Sequence, residues 1–223
     1  MGSKNKLKRF RENDSFSNVI QPTREEVLEG FSKKGKWQTF FNNNNPIVLE
    51  LGCGKGEYTI ALARKNPKIN YIGIDLKGAR FWRGAKTALE ENLTNVAFIR
   101  TQIELIDLLF AENEVTEIWI TFPDPQIKYT RTKHRLTNAE FLKKYYQVLI
   151  PEGIVNLKTD SEFMHGYTLG LLHGAGHEVL YAHHDIYKNA HSPKEVTTTQ
   201  TFYESQYLEN GKPITYIKFK LKY

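Results

Sequence analysis

The fold is decided by residues 47–57, IVLELGCGKGE, in which an apolar run leads directly into three glycines at alternate positions. Ile47–Leu51 has the length and composition of a buried strand. Gly52, Gly54 and Gly56 allow the backbone to turn tightly after that strand and to approach a ligand closely. The segment therefore predicts a strand, a ligand-binding loop and a helix, in that order.

From this segment onward the chain alternates between short apolar runs and longer stretches with helical spacing. The apolar runs are Tyr71–Ile74, Val96–Ile99, Ile118–Phe122 and Ile154–Leu157, and the helical stretches are Thr59–Arg64, Ala79–Glu91, Ile103–Phe110 and Phe141–Leu149. This alternation predicts an α/β fold with a doubly wound, mostly parallel sheet. Two late strand-like runs, Glu178–Ala182 and Ile214–Leu221, lack a full-length helix between them, which predicts an antiparallel C-terminal strand.

Length and charge indicate one domain with a polyanionic partner. The chain has 223 residues, enough for a single sizeable core, and a net charge of +6. We expect the domain to span residues 21–223. Residues 1–20 are expected to form a basic, flexible tail that has little to bury. Its cations are Lys4, Lys6, Lys8, Arg9 and Arg11.

Several classes of protein are excluded by composition. No apolar run approaches the ~18 residues that a membrane span requires, and the N-terminus lacks the apolar core of a signal peptide. Cys53 is the only cysteine, so neither an internal disulfide nor a thiolate metal cluster can form. Histidines such as His183 and His184 lack the spacing of metal ligands. We therefore expect a cytoplasmic protein without membrane contact or metal.

The glycine loop favours a cationic nucleoside over a phosphate. Glu57 stands where the third glycine of a dinucleotide fingerprint belongs, and no Gly-Lys-Ser/Thr closes a P-loop. The carboxylate of Glu50 would repel a pyrophosphate but suits a cation. Asp75 ends the second strand, where a carboxylate can accept both hydroxyls of a ribose. The alternative is that the glycines only form a turn and that Asp75 caps the next helix.

A second motif, FPDPQIKYTRTKHR, follows the fourth apolar run at residues 122–135. Pro123 and Pro125 stiffen the loop and hold Asp124 at the carboxyl edge of the sheet, where ligands bind. The cations that follow, together with Tyr129, are suited to RNA phosphates and a base. On charge alone, a solvated basic loop is an equal alternative.

Both motifs resemble those of known enzymes. The glycine loop and Asp75 resemble the S-adenosylmethionine-binding segment of class I methyltransferases. Residues 122–135 resemble the signature of the bacterial tRNA guanine-N7 methyltransferase family, F-x-D-P-W-x-K followed by a His- and Arg-rich stretch. The matching positions are Asp124, Pro125, Lys128, Lys133 and Arg135. Gln126 stands where the family usually has Trp, and Arg131 where it usually has His.

The likeness continues to Glu204. Residues 151–153, Pro-Glu-Gly, precede a strand that ends in Lys158-Thr159-Asp160, like the family's Thr-Asp pair. Residues 201–204, Thr-Phe-Tyr-Glu, resemble a late segment in which the Thr and the Glu contact substrate. Gln102 stands where the family commonly has an Asp near the adenine, and an amide can still hydrogen-bond that base.

The resemblance implies transfer of a methyl group from S-adenosylmethionine to N7 of a guanine in tRNA, at position 46 of the variable loop, leaving S-adenosylhomocysteine. It implies a monomer or homodimer whose partner is tRNA. The implied cofactor-binding residues are Glu50, Gly52, Gly54, Gly56, Asp75, Gln102 and Asp124, and Asp124 is also the catalytic residue. The implied substrate-binding residues are Lys128, Asp160, Thr201 and Glu204. The implied RNA-contacting residues are Thr130, Arg131, Thr132, Lys133, His134 and Arg135.

Guanine N7 carries a lone pair and no proton, so the transfer needs positioning and charge stabilisation rather than a general base. Two alternatives stay open. A methyltransferase of an exocyclic amino group in RNA or DNA could use Asp124-Pro125 to hold the amine, although Gln126 departs from that class's pattern. A non-catalytic RNA-binding protein could retain the same fold, although the intact Glu50, glycines and Asp75 argue against lost cofactor binding.

Overall fold

The structure, a computed structural model, describes residues 3–223, and Met1 and Gly2 at the start of the predicted tail lie outside the described residues. The strands are β1 Val19–Ile20, β2 Ile47–Leu51, β3 Asn70–Ile74, β4 Val96–Ile99, β5 Val115–Thr121, β6 Leu149–Thr159, β7 Glu178–His183 and β8 Thr215–Lys220. The helices are α1 Ser3–Asn13, α2 Arg24–Gly30, α3 Trp37–Phe41, α4 Glu57–Lys65, α5 Gly78–Glu90, α6 Ile106–Leu109, α7 Ala139–Val148, α8 Glu162–Gly174, α9 Lys194–Thr197 and α10 Phe202–Glu209. Ile103–Leu105 and Tyr129–His134 form 3-10 helices.

These strands form one sheet in the order β1-β4-β3-β2-β5-β6-β8-β7. The first six strands of that order run parallel, and β8 is antiparallel to both β6 and β7. The predicted α/β fold class is therefore confirmed, including the antiparallel C-terminal strand. In register, Leu51 at the end of β2 faces Ile74 at the end of β3, so the segments after both strands share the carboxyl edge of the sheet.

Two apolar layers hold the sheet. Leu49 and Ile72 point into a core that α2, α3, α6, α7 and α8 cover, while Val48 and Phe98 point to the opposite face, under α4 and α5. Burying each such side chain contributes roughly 1.5–3 kcal/mol to the free energy of folding, so the central strands contribute strongly to stability. Their carboxyl ends supply the loops of the candidate site. Within residues 3–223, no helix has both the length and the apolarity to cross a membrane.

The N-terminal region differs from the predicted flexible tail over residues 1–20. α1 packs against α5, where Asn13 Nδ2 donates to Gly78 O at 3.0 Å and Trp82 Nε1 donates to Glu12 Oε2 at 2.6 Å. The Arg9 guanidinium lies 4.8 Å from the Trp82 ring centroid. α5 thus supplies an aromatic ring for Arg9 and a backbone carbonyl for Asn13, and both partners lie far from α1 in the sequence.

Candidate active site

The glycine loop after β2 has a left-handed backbone, with φ of 74° at Gly52, 55° at Gly54 and 74° at Gly56. A Cβ at Gly56 would lie 2.6 Å from Phe98 Cε1, so this glycine lets the start of α4 pack against the sheet. A Cβ at Gly52 or Gly54 would have no contact closer than 4.0 Å, so these two leave open space above the loop. The three predicted glycines therefore divide into one that packs and two that face the cleft.

Asp75 lies directly beside this loop at the end of β3. Its Oδ2 accepts from the Gly54 amide at 3.0 Å, and its Oδ1 accepts from the Lys77 amide at 2.7 Å. The carboxylate is half-buried. It thus fixes the loop and still presents lone pairs to the edge of the sheet.

Glu50 lies beneath the loop and is 4% exposed. Oε2 accepts from the backbone amide of Thr59 at 2.8 Å and from its hydroxyl, while Oε1 accepts from the Thr121 hydroxyl at 2.6 Å. Burial raises the pKa of Glu50 to about 7, although the hydrogen bonds from Thr121 and Thr59 act in the opposite direction. A cation bound next to this carboxylate would favour its ionised form.

A cleft opens above these residues and is partly covered by the start of α10. Its lining includes Glu50, Gly52, Cys53, Gly54, Lys55, Glu57, Arg80, Thr121, Phe122, Thr201 and Tyr203. The Phe202 amide donates to Glu57 Oε2 at 2.7 Å, and Lys55 Nζ lies 4.2 Å from the Phe202 ring centroid. These contacts bring the late Thr201, a predicted substrate-binding residue, to the glycine loop.

The loop after β5 is strained around Asp124. Phe122 and Gln126 have φ of 48° and 47°, in the left-handed backbone region that residues other than glycine rarely adopt. Such residues cost of order 1–3 kcal/mol each and persist where the surroundings enforce them. Here the Phe122 amide donates to Lys158 O at 2.8 Å, and Asp124 Oδ1 accepts from the Gln126 amide at 3.0 Å. Asp124 is thereby held exposed next to the cleft.

The basic segment that follows presents most, but not all, of its predicted RNA contacts to solvent. Lys128, Thr130, Arg131 and Lys133 are exposed, and Tyr129 is 90% exposed. Thr132 and His134 are half-buried.

Arg135 lies on the inside of this segment. It is 5% exposed, and its guanidinium donates to Gln126 O at 3.1 Å and Ile127 O at 3.2 Å. It also lies 4.5 Å from the Tyr167 ring centroid. The structure therefore does not present Arg135 for the predicted RNA contact, because its donors hold the loop that carries Asp124.

Glu204 also differs from its predicted role, because its side chain is fully buried. Its Oε1 lies 2.7 Å from Lys158 Nζ and accepts from the Tyr187 hydroxyl at 2.7 Å. Its Oε2 accepts from the Thr201 amide at 3.3 Å, and the Thr201 hydroxyl accepts from the Glu204 amide, which closes a capping box. The structure thus places Thr201 at the cleft and Glu204 behind it.

Lys158 was missed in the sequence analysis, although a lysine that directly follows an apolar run is a signal for a buried cation. Nζ donates to Val196 O at 2.6 Å and to Thr199 O at 2.9 Å as well as pairing with Glu204. Burial lowers the pKa of Lys158, and the Glu204 carboxylate opposes that effect. Lys158 thereby holds the segment that leads into α10.

Two predicted residues lie further along the sheet edge. Asp160 follows β6, and its Oδ2 lies 3.5 Å from Lys212 Nζ. Gln102 follows β4 and is exposed, and its Oε1 accepts from Arg24 Nη1 at 2.6 Å. Across residues 3–223, no group of three or more His, Cys, Asp or Glu side chains could hold a metal ion.

Comparisons with known proteins identify similar sequences over most or all of the chain. A family model described as a putative methyltransferase matches residues 44–217. The chain is 76% identical, over the full length of both proteins, to a tRNA (guanine-N(7)-)-methyltransferase of Christiangramia forsetii. It is 51% identical to a protein of the same name from Porphyromonas gingivalis, over 93% of this chain and 86% of that relative.

Solved structures share the fold at low identity. A 16S rRNA methyltransferase, KamB, superimposes with a TM-score of 0.64 at 14% identity, over 85% of this chain and 94% of that chain. An antibiotic-related methyltransferase superimposes with a TM-score of 0.60 at 16% identity, over 92% and 96% of the two chains. At these identities the similarity shows a common fold and does not identify the substrate.

Proposed function

The chain belongs to the tRNA (guanine-N7-)-methyltransferase family, and from this premise we propose that its cleft transfers a methyl group from S-adenosylmethionine to guanine 46 in the variable loop of tRNA. The name that these relatives share states that they methylate guanine N7 in tRNA, and this chain has the same activity. The observation that carries the proposal is that the open glycine loop, Asp75 and the loop that bears Asp124 follow neighbouring parallel strands and therefore lie at the same edge of the sheet.

The residues present fit S-adenosylmethionine, which is a sulfonium cation with a ribose and an adenine. Gly52 and Gly54 leave space for it, whereas Gly56 acts only by letting α4 pack. The carboxylate of Asp75 would accept the ribose hydroxyls, and Glu50 would lie under the methionine end. The side-chain amide of Gln102 would hydrogen-bond the adenine, and its present hydrogen bond from Arg24 would break. The bound donor supplies an electrophilic methyl carbon.

The chain's own residues position the guanine. Its N7 has a lone pair, so no side chain needs to remove a proton. Asp124, held by a strained loop, would orient the reacting groups and offset the positive charge that the base acquires. Asp160 would accept from the guanine N1–H and N2–H₂ edge, and Lys128 and Thr201 would hold the base or its phosphate. Glu204 would act through Thr201, as a positioning residue.

The exposed face of the basic segment would bind the RNA backbone near the target. Arg131 and Lys133 offer full charges to phosphates, and Thr130, Thr132 and His134 offer hydrogen bonds. Because these contacts carry no base information, they set the register of the tRNA and leave the choice of guanine to the cleft.

The test is to incubate the protein with labelled methyl donor and unmodified tRNA and to digest the product to nucleosides. We expect label in 7-methylguanosine, and none when position 46 of the same tRNA is adenine. A tRNA changed at a neighbouring variable-loop position is the matched control and should stay a substrate. Label in an N-methylated exocyclic amine would support the amino methyltransferase instead. Binding of tRNA without any label would indicate a non-catalytic protein.

A further inference from the structure

A groove between α1 and the start of α5 is lined by five cations. They are Lys6, Arg9, Lys77, Arg80 and Arg100, and no acidic side chain is among the lining residues that the structure describes. Arg80 also lines the cleft described above, so the groove and the cleft lie side by side.

The charges of this groove are not neutralised by the protein. Over residues 3–223, none of the five cations has a carboxylate within ion-pair distance. Their neighbours on the same two helices are paired, Lys8 with Glu12 and Lys86 with Glu90. Like charges held together repel one another, and a bound anion would relieve that repulsion.

Two of the guanidinium groups are already held in place. Arg100 lies 4.2 Å from the Phe10 ring centroid, and Arg9 lies 4.8 Å from that of Trp82. A stacked guanidinium loses little freedom when it binds an oxyanion in its fork. In addition, Arg100 Nε is buried and has no hydrogen-bond partner among the described residues, so this fork lacks one acceptor.

The groove lies across the cleft from the basic segment at residues 128–133. β3 and β4 lie on one side of β2, and Leu76, Lys77 and Arg100 follow directly after these two strands. β5, which leads into the Asp124 loop, lies on the other side of β2. Since neighbouring strands are ~4.8 Å apart, β4 and β5 are separated by about 14 Å. One folded RNA can therefore contact both basic surfaces while a base enters the cleft between them.

We propose that this groove binds the phosphate backbone of the tRNA at a second place, away from the target guanine. The inference rests on the proposed function and deepens it. The methyl donor is a poor occupant, because it carries a positive sulfonium and no phosphate, and five cations would repel it. An RNA backbone supplies the oxyanions that the stacked arginines lack.

The test compares two double variants that remove the same number of charges from α1 and the α5 region. Lys6→Ala/Lys77→Ala removes two unpaired groove cations, and Lys8→Ala/Lys86→Ala removes two that carboxylates neutralise. Binding of unmodified tRNA is measured across a salt series. For the groove variant we expect the slope of log affinity against log salt to be shallower by about 1.5, since each lost phosphate contact removes roughly 0.7–0.9. If the affinity extrapolated to 1 M salt is unchanged, binding at 0.1 M weakens about 30-fold.

The affinity of the groove variant for S-adenosylmethionine should equal that of the wild type, and the control variant should bind tRNA like the wild type. Unchanged slope and affinity in the groove variant overturn the proposal, as does an equal loss in the control. Weakened donor binding with an unchanged slope also overturns it and assigns the groove to the donor. If the wild type forms 7-methylguanosine while the groove variant binds normally, only the groove proposal fails. If the wild type does not label tRNA, the proposed function itself fails.

Discussion

Glu204 Oε1 lies 2.7 Å from Lys158 Nζ, and neither side chain has any exposed surface. Because Lys158 lies near the end of β6 and Glu204 lies in the first turn of α10, this pair fixes the helix against the sheet. The same glutamate closes the capping box with Thr201, which lines the cleft. A buried charge pair therefore determines where Thr201 meets the glycine loop.

Glu204→Ala should lower the free energy of unfolding by about 3–5 kcal/mol, because it leaves the Lys158 ammonium buried without its counterion. Urea unfolding measures this, and Glu209→Ala, an exposed change on the same helix, should have little effect. The double variant Lys158→Met/Glu204→Leu should recover much of the loss, since apolar residues of similar volume often replace a buried pair without cost. If Glu204→Ala instead kept its stability and lost tRNA binding, Glu204 would be a substrate-binding residue and not a structural one.

The sequence predicted β2, β3 and β4 well, because these strands are short, mostly apolar runs bounded by polar residues or glycine. The observed β2, β3 and β4 begin and end within a residue of their predicted bounds. The meeting of the glycine loop with Asp75 was predictable for the same reason, since parallel strands place their carboxyl ends together.

The burial of Arg135 and Glu204 and the packing of α1 were not predictable from local patterns. Arg135 looks like its basic neighbours, but its partners are the carbonyls of Gln126 and Ile127, which only the folded loop presents. Glu204 pairs with Lys158, which lies 204 − 158 = 46 residues earlier in the sequence. α1 has the composition of a solvated tail, and its order depends on Trp82 and Gly78 of a helix far along the chain. In each case the deciding contact is a long-range one.

Asp75→Ala should weaken binding of S-adenosylmethionine by roughly tenfold to a hundredfold, because hydrogen bonds to a charged acceptor are worth about 1.5–3 kcal/mol. Calorimetric titration measures the affinity. Glu112→Ala, which removes an exposed carboxylate distant in sequence from the glycine loop, is the control and should bind normally. Wild-type affinity in a folded Asp75→Ala variant would remove this residue from the cofactor site.

The pKa of Glu50 predicts a stability that depends on pH. Because burial raises this pKa from 4.5 to about 7, the folded protein holds a proton between these values that the unfolded chain has released. The free energy of unfolding should therefore fall as the pH rises through this window, by roughly 3 kcal/mol from Glu50. Urea unfolding at several pH values should show this fall in the wild type and not in Glu50→Gln. Parallel profiles for the two proteins would contradict the shift.

Asp124→Asn should preserve the loop and lose most methyl transfer. Asparagine keeps an Oδ1 that can accept from the Gln126 amide, so the strained backbone remains supported. The charge that offsets the methylated base is lost, and we expect a rate loss of roughly 10²–10³-fold, the range found when one electrostatic group that stabilises a transition state is removed. Single-turnover kinetics at saturating donor and tRNA measure the chemical step. Wild-type rates would mean that Asp124 is only a structural residue of the loop.

The last prediction separates two arginines of the same basic segment. Arg131→Ala/Lys133→Ala removes two exposed cations, so tRNA should bind more weakly, with a salt slope shallower by about 1.5, while donor affinity stays constant. Arg135→Ala instead removes the buried donors to Gln126 O and Ile127 O, so it should lower the single-turnover rate even at saturating tRNA. The salt slope of that variant should stay close to the wild-type value, because no phosphate contact is lost. The opposite pattern for Arg135, a shallower slope with an unchanged rate, would show that its guanidinium leaves the loop and reaches the RNA.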